Sequence, residues 1–452
     1  MGTIQNWNVE DERFWEKEGK KVAGRNLRTS IPALLLAFAV WMVWSVVVVN
    51  LPNIGFKFDT DQLFWLTAIP GLSGATLRIF YSFMVPIFGG RNWTVISTAS
   101  LLLPSLGIGF AVQNPETPYS MFLLLAVLCG FGGGNFASSM ANISFFFPKS
   151  QKGTALGLNA GLGNLGVSVV QFMVPMVIWT PVFGLAGSGP QNWVKGEVTK
   201  QIWLQNAGFF WVPFIIVVSL LSLFFMDNLT TAKASFREQS VIFSRKHNWI
   251  MSLLYVGTFG SFIGYSAGFP MLIKTQFPEV NPLTFAWMGP FMGAIIRPVG
   301  GWVSDKIGGA RVTFWNFLIM IIAVFAVLYF LQSHYFPGFL WAFIALFLTT
   351  GIGNGSTFRM IPVIFLNERL AQAGPGGKEQ AIKDAGKESA AVLGFTSAIA
   401  AYGAFIIPKS YGFSIAHTGG PQGALYGFVV FYVFCVGLTW WFYSRKGAEA
   451  PC

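Results

Sequence analysis

From Thr29 onward the chain repeats one pattern: a run of roughly 20 apolar residues, then a short polar stretch, then another run. Runs of that length suit a helix crossing a bilayer, because only there does an all-round apolar helix need no polar face. The runs lie near 29–52, 62–88, 92–113, 117–147, 153–183 and 204–226, and then near 248–274, 281–304, 311–332, 336–366, 388–408 and 421–444. The pattern predicts twelve transmembrane helices in two sets of six, at 29–226 and 248–444. A charged stretch at 227–247 joins the sets, and polar segments at 1–28 and 445–452 flank them. Within the first segment Phe14 and Trp15 read as an interfacial contact. The fold class is an all-α polytopic membrane protein.

The charges that remain are sorted by side. Arg13, Lys17, Lys20, Lys21, Arg25 and Arg28 precede the first run. Arg91, Lys149, Lys152, Lys233, Arg237, Arg245, Lys246, Lys306, Arg311, Arg369, Lys378, Lys383 and Lys387 fall in even-numbered connections, and Arg445 and Lys446 follow the last run. Only Lys57, Lys195, Lys200, Lys274 and Lys409 fall on the other side. By the positive-inside rule both termini are cytoplasmic.

Composition agrees: of 452 residues 54% are hydrophobic and 10% charged, against about 25% charged in a soluble domain. The net charge of +11 sits in loops and sets orientation, so no nucleic-acid partner is expected. The N-terminus is polar through Arg28 and has no cleavable-signal pattern. Of three cysteines, Cys129 and Cys435 fall in apolar runs; no disulfide framework, metal spacing or cofactor motif is present.

Candidate chemistry lies in a repeat. Pro70 to Arg91 and Gly289 to Arg311 both contain Gly-Ala-x-x-Arg, ending at Arg78 and Arg297, and both close on Gly-Gly and a basic residue. An arginine in hydrocarbon costs several kcal/mol, roughly 3 on insertion scales, which makes each a functional-site candidate. Matching positions in two halves imply one central site built by a repeat. Each arginine has a competing structural reading, in which it snorkels or pairs. Apart from Glu388, which opens the eleventh run, no Asp or Glu lies within the apolar runs to pair with them. Two guanidinium groups without carboxylates suit an anion, and their planar donor forks suit a planar oxyanion. Arg359 is a third candidate, nearer the inner end of its run, where snorkelling competes. Tyr255 and Phe259 share a helix face. Asn164 and Asn135 supply amides, and Phe38 and Phe136 are placed to cover the faces of a small anion; for any one aromatic, core packing is the rival reading.

Glycines mark the fourth and fifth runs of each half: Gly161, Gly163 and Gly166 in one, Gly353, Gly355, Gly394 and Gly403 in the other. Gly161 to Gly166 matches G-x-G-x-x-G, but no strand precedes it and it sits inside an apolar helical run, which excludes a dinucleotide site. Close helix packing, with room for helices to slide, is the reading that remains.

The turn Gly301-x-x-x-Asp305-Lys306-x-Gly308-x-x-Arg311 resembles the cytoplasmic signature of the major facilitator superfamily, where the Asp caps a helix and pairs with a nearby Arg. The first-half copy lacks that Asp. Gly130 to Ser168 resembles the nitrate signature of the nitrate/nitrite porter family, and the segment from Gly351, with Gly394–Gly403, resembles its second-half counterpart. TFGSFIGYSAGF, KTQFPEVN and GFKFDTDQLFWLTAIPGLSGA are similar to the same family, and the likeness to its bacterial antiporters covers nearly the whole chain. The resemblance implies two pseudo-symmetric six-helix bundles, a bacterial inner-membrane location and a functional monomer among lipid. It implies that Arg78 and Arg297 hold nitrate or nitrite and that Asn164, Tyr255, Phe259, Phe136 and Phe38 line the pocket. Arg359 stands where the family pattern leads one to expect a neutral residue.

The expected activity is exchange of nitrate for nitrite by alternating access. An empty site would hold two uncompensated charges, so the unloaded carrier should reorient rarely. His334 and His417 fall in predicted loops and His247 at the start of the seventh run, so no midplane proton carrier is evident. Proton-coupled symport is the alternative, an anion channel a further one. A sensor would need an output domain, and no nucleophile–base pair points to an enzyme.

Overall fold

A computed structural model describes residues 2–230, 232, 240–373 and 377–452. Lys233 and Arg237 of the charged connection lie outside the described residues. Eleven helices are long and apolar enough to cross a membrane among the described residues. They are α1 (Glu12–Val47), α2 (Thr60–Tyr81), α3 (Gly90–Ala111), α4 (Tyr119–Phe146), α5 (Lys149–Val177), α6 (Asn206–Phe225), α7 (Lys246–Gln276), α9 (Gly309–Gln332), α10 (Phe336–Gln372), α11 (Lys378–Thr418) and α12 (Gln422–Ser444). The twelfth span, α8 (Met288–Ile307), carries Arg297, Asp305 and Lys306 within its 20 residues, which lowers its hydropathy below the others. The result is the expected all-α architecture of twelve membrane helices.

Two starts differ from the sequence reading. Helix α1 begins at Glu12, capped by Asp11, whose carboxylate accepts from the backbone N–H of Arg13 and Phe14. Trp15 is therefore not interfacial: it is buried on that helix and packs 5.8 Å from Phe147. Helix α11 begins at Lys378, well before the apolar run, because Lys378–Ala390 is rich in helix formers even though it is polar. His417 lies in the last turn of α11 and not in a loop.

The chain divides into two compact units. The first comprises Met1–Lys233, Ser266–Phe291 and Ala404–Gly412; the second comprises Ala234–Tyr265, Met292–Gly403 and Phe413–Cys452. The first unit thus contains the C-terminal part of α7, the first residues of α8 and Ala404–Gly412 of α11, stretches near the ends that the charge pattern places outside. Several contacts hold those ends there. Lys409 Nζ donates to Asp61 Oδ1 at 2.6 Å, Lys274 Nζ to the Val49 carbonyl at 2.6 Å, and Gln171 Nε2 to the Ser266 carbonyl at 2.7 Å. Between α5 and α6 the unpredicted strands β2 (Gln191–Lys195) and β3 (Val198–Ile202) form an antiparallel hairpin. Gly196 turns it at φ +60°, as a two-residue hairpin loop requires. Lys195 Nζ reaches the Pro278 carbonyl at 2.5 Å, and Trp193 donates to Asn50 Oδ1 at 3.1 Å.

Each unit also folds the segment after its last helix back onto the start of its first. In the first unit β1 (Thr3–Ile4) pairs in parallel with β4 (Asn228–Leu229). Asp227 accepts from Arg25 at 2.5 Å and Asn26 at 3.1 Å, and Asn228 Oδ1 caps α3 through the Arg91 N–H at 3.0 Å. In the second unit Glu449 accepts from Lys246 at 2.7 Å, and the Cys452 carbonyl accepts from the Ala310 N–H of α9 at 3.0 Å. Lys246 holds the Glu449 carboxyl below the usual carboxylate range. The first-half Gly-Gly-Arg turn, which lacks the Asp, is capped by Asn228, supplied from outside the turn.

Candidate functional site

In the first unit the site is built on α2. Its capping box, Asp59 with Gln62, fixes the start of the helix. Arg78 follows near its end, fully buried. Arg78 Nε donates to the Gly133 carbonyl of α4 at 2.8 Å. Three rings face the guanidinium: Phe136 at 4.7 Å, Trp41 at 5.1 Å and Phe38 at 5.9 Å from Cζ to ring centroid. Phe38 and Phe136 meet edge-to-face at 6.1 Å. Desolvated cation–π contacts are worth about 2 kcal/mol, so an aromatic floor offsets part of the cost of burying the charge. Asn164 is buried on α5, along the seam where Gly166 meets Phe38 of α1. Its Oδ1 has no hydrogen-bond partner among the described residues.

The second unit repeats the plan on α8. Arg297 is 8% exposed and lies 5.2 Å from the ring of Phe358 on α10. Its Nη2 donates to the Tyr255 hydroxyl at 3.4 Å. Its Nη1 is buried and has no hydrogen-bond partner among the described residues. Tyr255 and Phe259 stack at 5.5 Å with 16° between planes. A π-turn at Val256–Gly260 produces this stack, because a wider turn brings residues four apart more nearly into line. Opposite that turn, a Cβ on Gly403 would overlap the Gly260 carbonyl, so α11 runs against α7 there with no room for a side chain.

Sequence reasoning missed two platform residues. Trp41 lies one turn beyond Phe38, on the same helix face. Phe358 directly precedes Arg359 and corresponds to Phe136 in the glycine-rich run of the other half. Arg359 is turned elsewhere: it is half-exposed and its Nε donates to Asp305 Oδ1. Asp305 therefore pairs within its own unit, and Arg311 is exposed. Glu388, inside α11, is buried between Arg245 at 2.9 Å and Arg369. Among the glycines, Gly163, Gly166, Gly353, Gly355 and Gly403 sit at close contacts, whereas a Cβ on Gly161 or Gly394 would meet open space. The last two are not packing glycines in this structure.

Twelve membrane helices, a repeated half and a buried arginine on each define a secondary transporter. The Major Facilitator Superfamily profile matches residues 33–374. The chain is 53% identical to a nitrate/nitrite transporter NarU of Escherichia coli strain K12, over 98% of this chain and 96% of that one. It is 44% identical to a probable nitrate/nitrite antiporter NarK2 of Thermus thermophilus, over 99% and 98%. Its fold matches a bacterial homolog of the human lysosomal transporter Spinster with a TM-score of 0.62 at 15% identity, over 91% of this chain and 95% of that one. The chain belongs to the nitrate/nitrite porter family of the major facilitator superfamily.

Proposed function

We propose that the protein exchanges nitrate for nitrite across the bacterial inner membrane, both termini cytoplasmic, as a monomer working by alternating access. The relatives' names support the substrates, and the loop charges support the orientation. One observation carries the site: Arg297 is buried on an aromatic platform with a guanidinium nitrogen that no described residue satisfies. Such a donor costs about 1–3 kcal/mol and calls for an anionic acceptor from outside the chain. Arg78 supplies the second guanidinium. The halves 29–226 and 248–444 are the rocking bodies, and nitrate binds Arg78 of one and Arg297 of the other. Uptake of labelled nitrate into proteoliposomes tests this. Exchange requires internal nitrite or nitrate and ignores a pH gradient. Uptake into empty vesicles driven by a proton gradient establishes symport instead, and flux without saturation establishes a channel.

Alternating access requires the outer contacts to separate. Asp61→Asn removes the ion pair with Lys409, a half-exposed pair worth about 0.5–1 kcal/mol, so it shifts the outer-open population two- to fivefold. Ser266→Cys, buried beside Gln171, reports that opening to a membrane-impermeant maleimide. The native thiols are a quiet background: Cys129 and Cys435 are buried, and burial pushes the Cys452 thiol up to about 12. Labelling of Ser266→Cys should rise two- to fivefold in Asp61→Asn; an unchanged rate removes the ion pair from the gate.

A further inference from the structure

We infer that Trp41 is the positioning residue that sets the angle of the Arg78 guanidinium. The inference rests on the reading of both arginines as substrate ligands. The indole of Trp41 lies in a slot cut by two glycines. A Cβ on Gly74 would stand 2.6 Å from Trp41 Nε1, and one on Gly133 would stand 2.6 Å from Trp41 Cε2. This explains the Gly of the first Gly-Ala-x-x-Arg: it admits a ring one turn before the arginine. The ring is fixed in its plane, because Trp41 Nε1 donates to the Pro70 carbonyl at 2.6 Å. Trp41 is itself fully buried. Arg78 therefore rests on a ring pinned at its edge, while its own Nε is tied to the carbonyl of Gly133, a wall of the same slot. Two backbone carbonyls and one indole, with the rings of Phe136 and Phe38, hold the guanidinium in this orientation.

The second unit lacks this device. Gly293 of the second Gly-Ala-x-x-Arg faces Phe262, whose Cε2 would lie 2.8 Å from an added Cβ. A phenyl ring has no N–H with which to anchor itself. Arg297 donates instead to the Tyr255 hydroxyl at 3.4 Å, on a ring stacked against Phe259 beside a π-turn. Arg78 is thus held by main chain and a pinned ring, whereas Arg297 donates to a side-chain hydroxyl.

The test is a double-mutant cycle for nitrate half-saturation in exchange-loaded proteoliposomes, with Trp41→Phe, Arg78→Lys and the pair. Trp41→Phe keeps an aromatic floor and loses the N–H. It should raise the half-saturation concentration about five- to tenfold while maximal exchange stays within twofold. In the Arg78→Lys background, where no planar fork is left to orient, Trp41→Phe should add less than twofold. Independent multiplication of the two effects, which plain packing damage produces, overturns the inference, as does an unchanged half-saturation in Trp41→Phe. Trp41→Leu, which loses both the ring and its donor, gives the same comparison if the phenylalanine variant fails to insert. An Arg78→Lys carrier with wild-type affinity refutes the substrate reading itself, and is distinguishable because it does not involve Trp41.

Discussion

Arg297→Lys raises the half-saturation concentration for nitrate about 10- to 100-fold, with the positive charge retained. The guanidinium presents parallel N–H donors in a plane that matches a planar oxyanion, and lysine replaces them with one compact ammonium. In this chain the loss is compounded by the surroundings. The guanidinium face lies over Phe358 and one nitrogen is steered by Tyr255; a shorter-forked, more strongly hydrated ammonium is a poorer fit to both. Losing one charge-assisted hydrogen bond costs about 1.5–3 kcal/mol, and each 1.4 kcal/mol is tenfold. Nitrate–nitrite exchange in proteoliposomes and calorimetric binding to the purified carrier give the number. Affinity unchanged in Arg297→Lys sinks the bidentate reading, whatever happens to transport rate. A neutral Arg297→Gln should lose more than Arg297→Lys, because charge and fork go together; if the two are equal, charge contributes nothing at this site.

Most of the fold was readable because a bilayer imposes it: an apolar run of sufficient length has few alternatives. The failures are where that constraint is absent. The helical start of α1 at Glu12 and of α11 at Lys378 are polar stretches made helical by capping and propensity, which a hydropathy pattern does not register. The β2–β3 hairpin lies outside the apolar runs, where only the Gly196 turn and flanking Val and Trp residues signalled it. At the site, Arg78 and Arg297 were legible because buried charge is rare and they sit at matching places. Phe38 and Phe136 lie beside Arg78 and Tyr255 beside Arg297, with Phe259 stacked on Tyr255. Trp41 and Phe358 were not, since among 47 phenylalanines and 17 tryptophans nothing local separates a platform ring from a packing ring. Arg359, a charge inside an apolar run, pairs with Asp305 at the exposed end, which agrees with the snorkelling reading that competed for it. The Asp of the second-half signature pairs with Arg359 within its unit, and the first-half turn is capped by Asn228, a residue far along the chain that no motif contains.

Gly355→Ala should abolish most exchange, whereas Gly394→Ala should leave it near wild type, although both glycines belong to the same second-half pattern. A Cβ at Gly355 would overlap the carbonyl oxygen of Arg297 itself and stand 2.6 Å from the Gly301 N–H nitrogen. Neither obstacle is the end of a flexible side chain, so α10 and α8 must separate to admit the methyl. That movement carries Arg297 away from Phe358 on α10 and from Tyr255 on α7. Overpacking of this kind costs about 1–3 kcal/mol of stability, which a carrier of this size tolerates. The functional loss is larger, because a displacement near 1 Å at a positioning group costs roughly 100-fold. At Gly394 the same methyl meets nothing within 4 Å, and alanine is the better helix former by about 1 kcal/mol, so that variant should be slightly more stable. Thermal unfolding of detergent-purified protein checks that both variants fold; nitrate–nitrite exchange then separates them. If Gly355→Ala folds and exchanges at the wild-type rate, the close approach of α8 and α10 does not position Arg297. If Gly394→Ala stalls the carrier while its fold is intact, the open space at Gly394 is needed in another state of the transport cycle, and the sliding role expected of that glycine is restored.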